Sequence, residues 1–405
     1  MFWETKENKI ITDEDKIEKL LTHNVEEIIG GDDLRKKLLS GKKLRIKFGV
    51  DITRPDIHIG HAVGLHKLRE FQNLGHTVIF LIGDATTRIG DPTGKDKTRP
   101  LLTEEEIQEN SKTYIDQVGK ILDMNKTEVR HNSEWFDKMS MADFVKLLTN
   151  VTHSQIINRE AFQKRISEGK EIFTHELVYP VLQGYDSVVL EADVAVHADQ
   201  LFNEHFGRMY QEKFDQEPQA IMTISMLVGT DGKNKMSKSL DNYVGITDEP
   251  NNMFGKIMSI PDNVIIDYFN MATNVPTDEI EKIKQELEDG VNPKDIKMKL
   301  AREIVTIYHG KEKAVSAEEN FTNTFSGGGV SEDADEVVVE KGTTLSDAVM
   351  QVEGLVKSKT DLRRLVDAGA VSEVDGEVIK DFDFKIQKDT TLKIGKRRFL
   401  KIKVK

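Results

Sequence analysis

The sequence predicts an α/β protein: a parallel-sheet domain carrying a helical insertion, then an α-helical domain, then a small α+β piece. Three observations carry this. Residues 44–50 (LRIKFGV) and 78–82 (VIFLI) are short apolar runs of strand character, and between them Val63, Leu65, Leu68, Phe71 and Leu74 recur at helical spacing before Gly75. Strand, helix, strand is the βαβ unit of a parallel sheet. Residues 249–318 again show helical periodicity, with few turn signals beyond Gly290 and Pro293. Residues 321–336 (FTNTFSGGGVSEDADE) have the Gly, Ser and acid content of a flexible linker, which sets 337–405 apart.

Taken in order, residues 1–40 place Ile17, Leu20, Leu21, Val25, Ile28 and Ile29 at helical spacing and read as one or two amphipathic helices. The sheet domain covers 41–228. Its first strand, 44–50, runs into a turn at 51–55 (DITRP). Residues 103–172 read as a mostly helical insertion, opened by a capping box of Thr103 with Glu106. A helix at 177–185 and strands at 193–196 and 219–227 (QAIMTISML) complete the sheet domain. The helical domain takes 229–320, the linker 321–336 and the last piece 337–405.

Of the 405 residues, 38% are hydrophobic and 31% charged, which fits a soluble globular chain with a sizeable core. There is no cysteine, so disulfides, thiolate metal sites and thiol nucleophiles are excluded. The first residues carry neither an apolar export segment nor an Arg-rich amphipathic pattern, and no apolar run is long enough to span a bilayer. A cytoplasmic location without membrane insertion is the expectation. The formal net charge of −13 argues against a nucleic-acid partner, but 393–405 (KIGKRRFLKIKVK) has seven basic residues and no acid. A basic patch on an acidic protein is expected.

Two motifs carry chemistry. His58-Ile59-Gly60-His61 stands at the carboxyl edge of the sheet and the amino end of a helix, where open α/β sheets bind nucleotides. The two histidines read as a capping or surface pair, as metal ligands, or as polarising groups for a phosphate. No third ligand recommends a metal, so none is expected, and Gly60 would let a nucleotide ring approach the backbone. Lys235-Met236-Ser237-Lys238-Ser239 follows Gly229, Asp231 and Gly232 directly after an apolar strand. A solvated surface loop is one reading; a mobile loop holding two ammoniums over a leaving pyrophosphate is the other. Together, in this order, the motifs point to ATP chemistry.

With these residues in hand, the chain resembles the class I aminoacyl-tRNA synthetases, and among them the bacterial-type tyrosyl-tRNA synthetases. The resemblance runs through RIKFGVDITRPDIHIGH (45–61), IGDPTGKDKTRP (89–100), HNSEWF (131–136), LVYPVLQGYDSV (177–188), KMSKSLDNYVGI (235–246) and MFGKIMSI (253–260). It implies a Rossmann-like parallel-sheet catalytic domain, a helical anticodon-binding domain and a homodimer. Tyr179, Gln183 and Asp186, spaced to share one helix face, match the tyrosine-pocket signature. Their chemistry agrees: Asp91, Tyr179 and Gln183 suit an amino acid's ammonium, and Asp186 can accept from a buried phenol. Such a site rejects phenylalanine because the acceptor would be left unpaired, and tyrosyl-tRNA synthetases are themselves the usual illustration.

By the same resemblance Asp51 lies near the adenylate and the tyrosine amino group, Asn132 positions the tyrosine side of the pocket, and Lys95 and Arg99 contact pyrophosphate. ATP would be held by Asp51, His58, Gly60, His61, Asp199, Lys235 and Lys238, with Mg2+ arriving on it. Two departures stand out. At 196–200 (VHADQ) the chain is one residue shorter than the family's run and lacks its glycines, although Asp199 and Gln200 match the residues for ribose and for the substrate carboxylate region. His197 reads as structural. Ile52 stands where Pro is more usual, and Lys47 marks one branch of the family. The segment 358–379, with Arg363 and Arg364, followed by Lys396, Arg397 and Arg398 in the basic tail, resembles a small RNA-binding module.

The expected function is therefore tyrosine–tRNA ligation: L-tyrosine and ATP give tyrosyl-adenylate, and the tyrosyl group passes to the 3′-terminal adenosine of tRNA(Tyr). His58, His61, Lys95, Arg99, Lys235 and Lys238 would be the catalytic groups. The altered 196–200 run motivates an alternative, a paralogue activating tyrosine or an analogue for an acceptor other than tRNA. A non-catalytic RNA-binding protein would have no use for the two motifs. Tryptophan as substrate is disfavoured by Asp186.

Overall fold

Six strands build the main sheet of the computed structural model: β1 (Val25–Ile29), β2 (Arg45–Val50), β3 (Thr77–Ile82), β4 (Thr127–His131), β5 (Val194–His197) and β6 (Ala220–Ile224). The structure describes residues 9–52, 56–90, 103–326, 335–352, 354–356, 358–374, 378–395 and 398–405. Strand order is β1-β6-β5-β2-β3-β4. β2 to β6 run parallel, with Ile46 opposite Val78 and Phe48 opposite Phe80, and only β1 is antiparallel, on β6. Ile46, Val78, Ile79, Ile82, Val194, Ala195 and Met222 have no exposed surface, as expected when both faces of a parallel sheet are covered. From β2 the chain builds outward to β3 and β4, then returns to the other side of β2 with β5 and β6. That reversal opens a crevice at the carboxyl ends of β2 and β5.

Four expectations need correction. Residues 1–40 are not helical throughout: helices Glu14–Thr22 and Gly31–Leu39 flank β1, because Asn24 takes φ 53° and stops the first helix while the β-branched Val25, Ile28 and Ile29 pair with β6. The insertion at 103–172 is interrupted by β4, which hydrogen-bonds β3 as the sheet's edge; its Thr103–Glu106 capping box forms as expected. The helix Lys311–Ser326 runs into the stretch expected to be linker from 321, and β7 (Asp335–Val339) begins before its end. Residues 327–334 lie outside the described residues. The last strand of the main sheet is also shorter than 219–227: past Ile224, Ser225 N–H turns to the carbonyl of Asn24.

The chain divides into two compact units, Met1–Asp248 with Ser259–Ile296, and Glu249–Met258 with Lys297–Lys405. In the second, the helix Pro250–Met258 packs on Lys311–Ser326, with the Phe254 and Phe321 rings 5.4 Å apart. The same unit holds a small sheet in which β8 (Val371–Glu373), β9 (Thr390–Ile394) and β10 (Arg398–Val404) join β7 in the order β7-β10-β9-β8. Leu362 and Val366, from the helix Lys359–Asp367, fill its core with Leu392, Ile394, Leu400 and Ile402.

In the first unit the helices Thr174–Val189 and Leu201–Lys213 meet at Gly184. A Cβ there would lie 2.9 Å from both Phe206 Cβ and Tyr210 Cδ2, and 3.0 Å from the Phe206 backbone carbon. The backbone cannot swing aside, so Gly184 sets the spacing of the two helices that carry most of the site described below. Gly184→Ala should therefore lower stability by about 1–3 kcal/mol despite the gain in helix propensity, read as a lower urea midpoint at unchanged slope.

Candidate active site

His58 is the N-cap of the helix Ile59–Asn73, and the two motif histidines cap one another. His61 N–H donates to His58 Nδ1 at 3.3 Å, and His58 N–H points at His61 Nδ1 at 3.4 Å. The rings stack with centroids 3.6 Å apart. Because each Nδ1 accepts, the proton of each neutral ring sits on Nε2. Burial first, then His61, Lys238 and Lys235, pushes His58 down to about 2. Desolvation in the cleft first, then Lys238, pushes the more open His61 down to about 4. Both imidazoles are therefore neutral Nε2–H donors near neutral pH. Gly60 is where a side chain would strike the His58 ring and Met236 Cβ, at 3.1 and 3.3 Å.

The second motif is bound to the first through the backbone. Ile59 N–H donates to Val244 O at 2.9 Å, Ile246 N–H to Ile57 O at 3.1 Å, and His58 bridges Gly245. Asn242 organises the loop between: Oδ1 accepts from Ser237 N–H at 2.8 Å, while Nδ2 donates to Asp231 Oδ2 and Lys235 O. Met236 is buried, which leaves the lysines on either side of it free to face away from the core. Lys238 Nζ lies 2.7 Å from Asp56 Oδ2 and 5.8 Å from the Tyr243 ring; Lys235 Nζ lies 3.5 Å from Asp199 Oδ2.

Beside these motifs, residues of β2, of the ends of β2 and β4 and of the helices Asp84–Thr87, Ser133–Phe136, Thr174–Val189 and Leu201–Lys213 make buried polar contacts. Tyr179 Oη donates to Asp51 Oδ2 at 2.9 Å, Thr86 Oγ1 to Asp51 Oδ1 at 2.9 Å, and Asn132 Nδ2 to Thr86 Oγ1 at 3.1 Å. Asp186 accepts from Trp135 Nε1 at 3.0 Å and from Asn132 Nδ2 at 3.4 Å. Burial pushes the Asp186 carboxyl up to about 8, against the Lys47 charge and those two donors. Lys47, 1% exposed on β2, donates to Ser187 Oγ at 2.6 Å and to Glu204 Oε2 at 2.7 Å. Burial would raise Glu204, but the charges of Lys47 and His197 and its hydrogen bonds hold it below the ordinary carboxylate range. Gln183 Nε2 donates to Glu204 Oε1 at 2.9 Å, and Asn203 Nδ2 reaches both Gln183 Oε1 and Gln200 Oε1 at 2.8 Å.

The structure thus links Asp51, Asn132, Tyr179 and Asp186 in one hydrogen-bonded chain and Gln183 in a second with Lys47, Glu204, Asn203 and Gln200, while Asp199 joins Gln200 to Lys235. Asp91, Lys95 and Arg99 lie outside the described residues, as do Lys396 and Arg397. Arg363, with its guanidinium 4.6 Å from the Phe382 ring, Arg364 on the same helix, and Arg398, which donates to Leu355 O, belong to the second unit. Sequence reasoning took Lys47 only as a branch marker and did not single out Thr86, Trp135, Asn203 or Glu204. Only Lys47 gave a signal: a lysine inside the apolar run LRIKFGV must find a buried partner.

Residues 39–326 match the family model described as tRNA synthetases class I (W and Y). The chain is 45% identical over 369 residues to the tyrosine–tRNA ligase of Thermotoga maritima, covering 91% of each, and 48% identical over 353 residues to that of Nitratidesulfovibrio vulgaris, covering 86% of this chain and 88% of the relative. Its fold is similar to a C-terminally truncated mitochondrial tyrosyl-tRNA synthetase of Aspergillus nidulans, at TM-score 0.64 and 22% identity over 77% of this chain and 93% of that one. It is likewise similar to the Archaeoglobus fulgidus enzyme complexed with L-tyrosine, at TM-score 0.60 and 22% identity over 75% and 99%.

Two measurements test this electrostatic account. Lys47→Met strands Glu204 without its buried countercharge and should cost about 3–5 kcal/mol, whereas Lys47→Met with Glu204→Gln should recover most of that loss. The unfolded chain protonates His58 and His61 near 6.5, the folded chain only near about 2 and about 4. Below 6.5 the unfolded state binds more protons, so stability falls as pH drops from about 6.5 toward about 4. His58→Asn, which keeps an acceptor for the His61 N–H, should shrink the difference in urea midpoint between about pH 7.5 and about pH 5.

Proposed function

Because this chain belongs to the class I tRNA synthetases of the tryptophan and tyrosine group, we propose that it is a tyrosine–tRNA ligase whose reactions run in the crevice just described. The observation that carries the reading is the meeting, at one sheet edge, of four nitrogen donors suited to phosphate with a buried carboxyl, amide and phenol cluster suited to tyrosine. Class I synthetases use ATP. A tyrosine carboxylate oxygen attacks the α-phosphorus, the bond to the bridging oxygen breaks, and pyrophosphate leaves with that electron pair. Lys235 and Lys238 meet its charge once they leave Asp199 and Asp56, and His58 and His61 add Nε2–H donors without adding charge. Lys95 and Arg99 would join them.

Asp186 faces the phenol hydroxyl, with Trp135 and Asn132 holding it in place; Tyr179, Gln183 and Asp91 take the ammonium; Asp51, Gly60 and Asp199 receive the nucleotide, and Gln200 the carboxylate side. Mg2+ comes with the ATP phosphates and neutralises them. A ribose hydroxyl of the tRNA's terminal adenosine then attacks the tyrosyl carbonyl and AMP leaves. Arg363, Arg364 and Arg398, with Lys396 and Arg397, suit the RNA backbone.

The protein would act as a homodimer. Met141, Val145 and Ile166 in the insertion and Phe173 just after it, 47–75% exposed, are the kind of open apolar side chains such pairing would cover. A cytoplasmic site of action fits its tRNA substrate; among the described residues no helix is long and apolar enough to cross a membrane.

Tyrosine-dependent exchange of labelled pyrophosphate into ATP, followed by charging of tRNA(Tyr), tests the function. No exchange with any aromatic amino acid would sink it, and exchange without charging would point to another acceptor. Lys235→Ala and Lys238→Ala should each slow adenylate formation on the order of a hundredfold while leaving tyrosine affinity nearly unchanged. Equal losses in both would refute a role on the leaving group.

A further inference from the structure

His197 closes β5 opposite Thr223 of β6 and is 5% exposed. Its Nδ1 accepts the backbone N–H of Gln200 at 3.0 Å. Gln200 is the N-cap of the helix Leu201–Lys213, yet its side chain makes no cap hydrogen bond to that helix. It is spent elsewhere: Nε2 donates to Asp199 Oδ1 at 3.2 Å, and Oε1 accepts from Asn203 Nδ2, which also serves Gln183. Asp199 in turn meets Lys235. The turn 197–200 therefore feeds both the buried amide cluster and the lysine loop.

We propose that His197 is a positioning residue for this site: its Nδ1 pins the Gln200 amide and thereby fixes where Gln200 and Asp199 present their side chains. The imidazole is an expensive choice for a buried strand end. Among the described residues its Nε2 has no hydrogen-bond partner, and Thr223 Oγ1, across the register, has none either. An apolar side chain would avoid that desolvation cost, so what the ring contributes is the acceptor at Nδ1.

The proposal rests on Gln200 and Asp199 facing the substrates, so its test has one readout tied to the reaction and one that is not. Tyrosine-dependent pyrophosphate exchange is measured for wild type, His197→Ala, His197→Asn, His197→Gln, Gln200→Ala and the double variant His197→Ala with Gln200→Ala. Hydrogen exchange at the Gln200 amide is read on the same proteins. His197→Ala should raise KM for tyrosine roughly fivefold to tenfold with kcat little changed. His197→Asn, whose Oδ1 stands where Nδ1 stood, should restore wild-type KM and amide protection; His197→Gln, with its acceptor one atom further out, should not. The double variant should be no worse than Gln200→Ala alone. Unchanged protection in His197→Ala, additive effects in the double variant, or Asn and Gln behaving alike would overturn the assignment. If His197→Ala does not fold, the contrast between Asn and Gln decides it. Absence of exchange in wild type would sink the ligase reading, while amide protection would still decide the role of His197.

Discussion

A lysine ammonium in the middle of a sheet otherwise made of Ile, Val and Phe is the constraint on which the site depends. Lys47 can remain charged on β2 only if an anion is built beside it, and that anion, Glu204, comes from the Leu201–Lys213 helix. Once in place, Glu204 has lone pairs left to satisfy. Gln183 donates to one oxygen and Gln219 Nε2 to the other at 2.9 Å, which ties the Thr174–Val189 helix and the approach to β6 to the same carboxylate. The close approach at Gly184 lets these partners reach one another. A requirement for charge neutrality thus becomes a geometric specification, and Gln183 and Asp186 inherit their positions from it.

The phosphate-facing side obeys a different rule. Placing four nitrogen-bearing side chains together would normally build mutual repulsion. Here the field is divided: two lysines keep their charge on a loop, and two histidines, desolvated and beside those lysines, give theirs up. The reciprocal cap leaves one Nε2–H on each ring pointing away from the backbone. Lys238 pairs with Asp56 and Lys235 with Asp199, so each lysine has a carboxylate partner. The backbone pairing of 57–59 with 244–246 ties the helix start to the segment that follows the lysine loop.

Much of this was legible beforehand. The βαβ order followed from apolar runs and helical spacing, because burial on both faces of a parallel sheet requires those patterns. Both motifs, and the shared face of Tyr179, Gln183 and Asp186, could be read from spacing alone. β1 was not legible: its Val25, Ile28 and Ile29 fit helical spacing as well as strand propensity, and the choice fell to Asn24 in the left-handed region and to the free edge of β6. β4 was hidden for a similar reason, since TEVRH has too few apolar residues to announce an edge strand whose role is to cover β3.

The sequence by itself determined the class of chemistry and the residues offered to it, because those depend on side-chain type and on local periodicity. Tertiary structure alone decided their states. That Lys47 is paired, that His58 and His61 are neutral and that Asp186 is held by Trp135 and Asn132 depend on desolvation and on partners distant in the chain, Glu204 for Lys47 and Lys238 for His58. Such couplings arise only when strands and helices from distant segments close around the same few atoms.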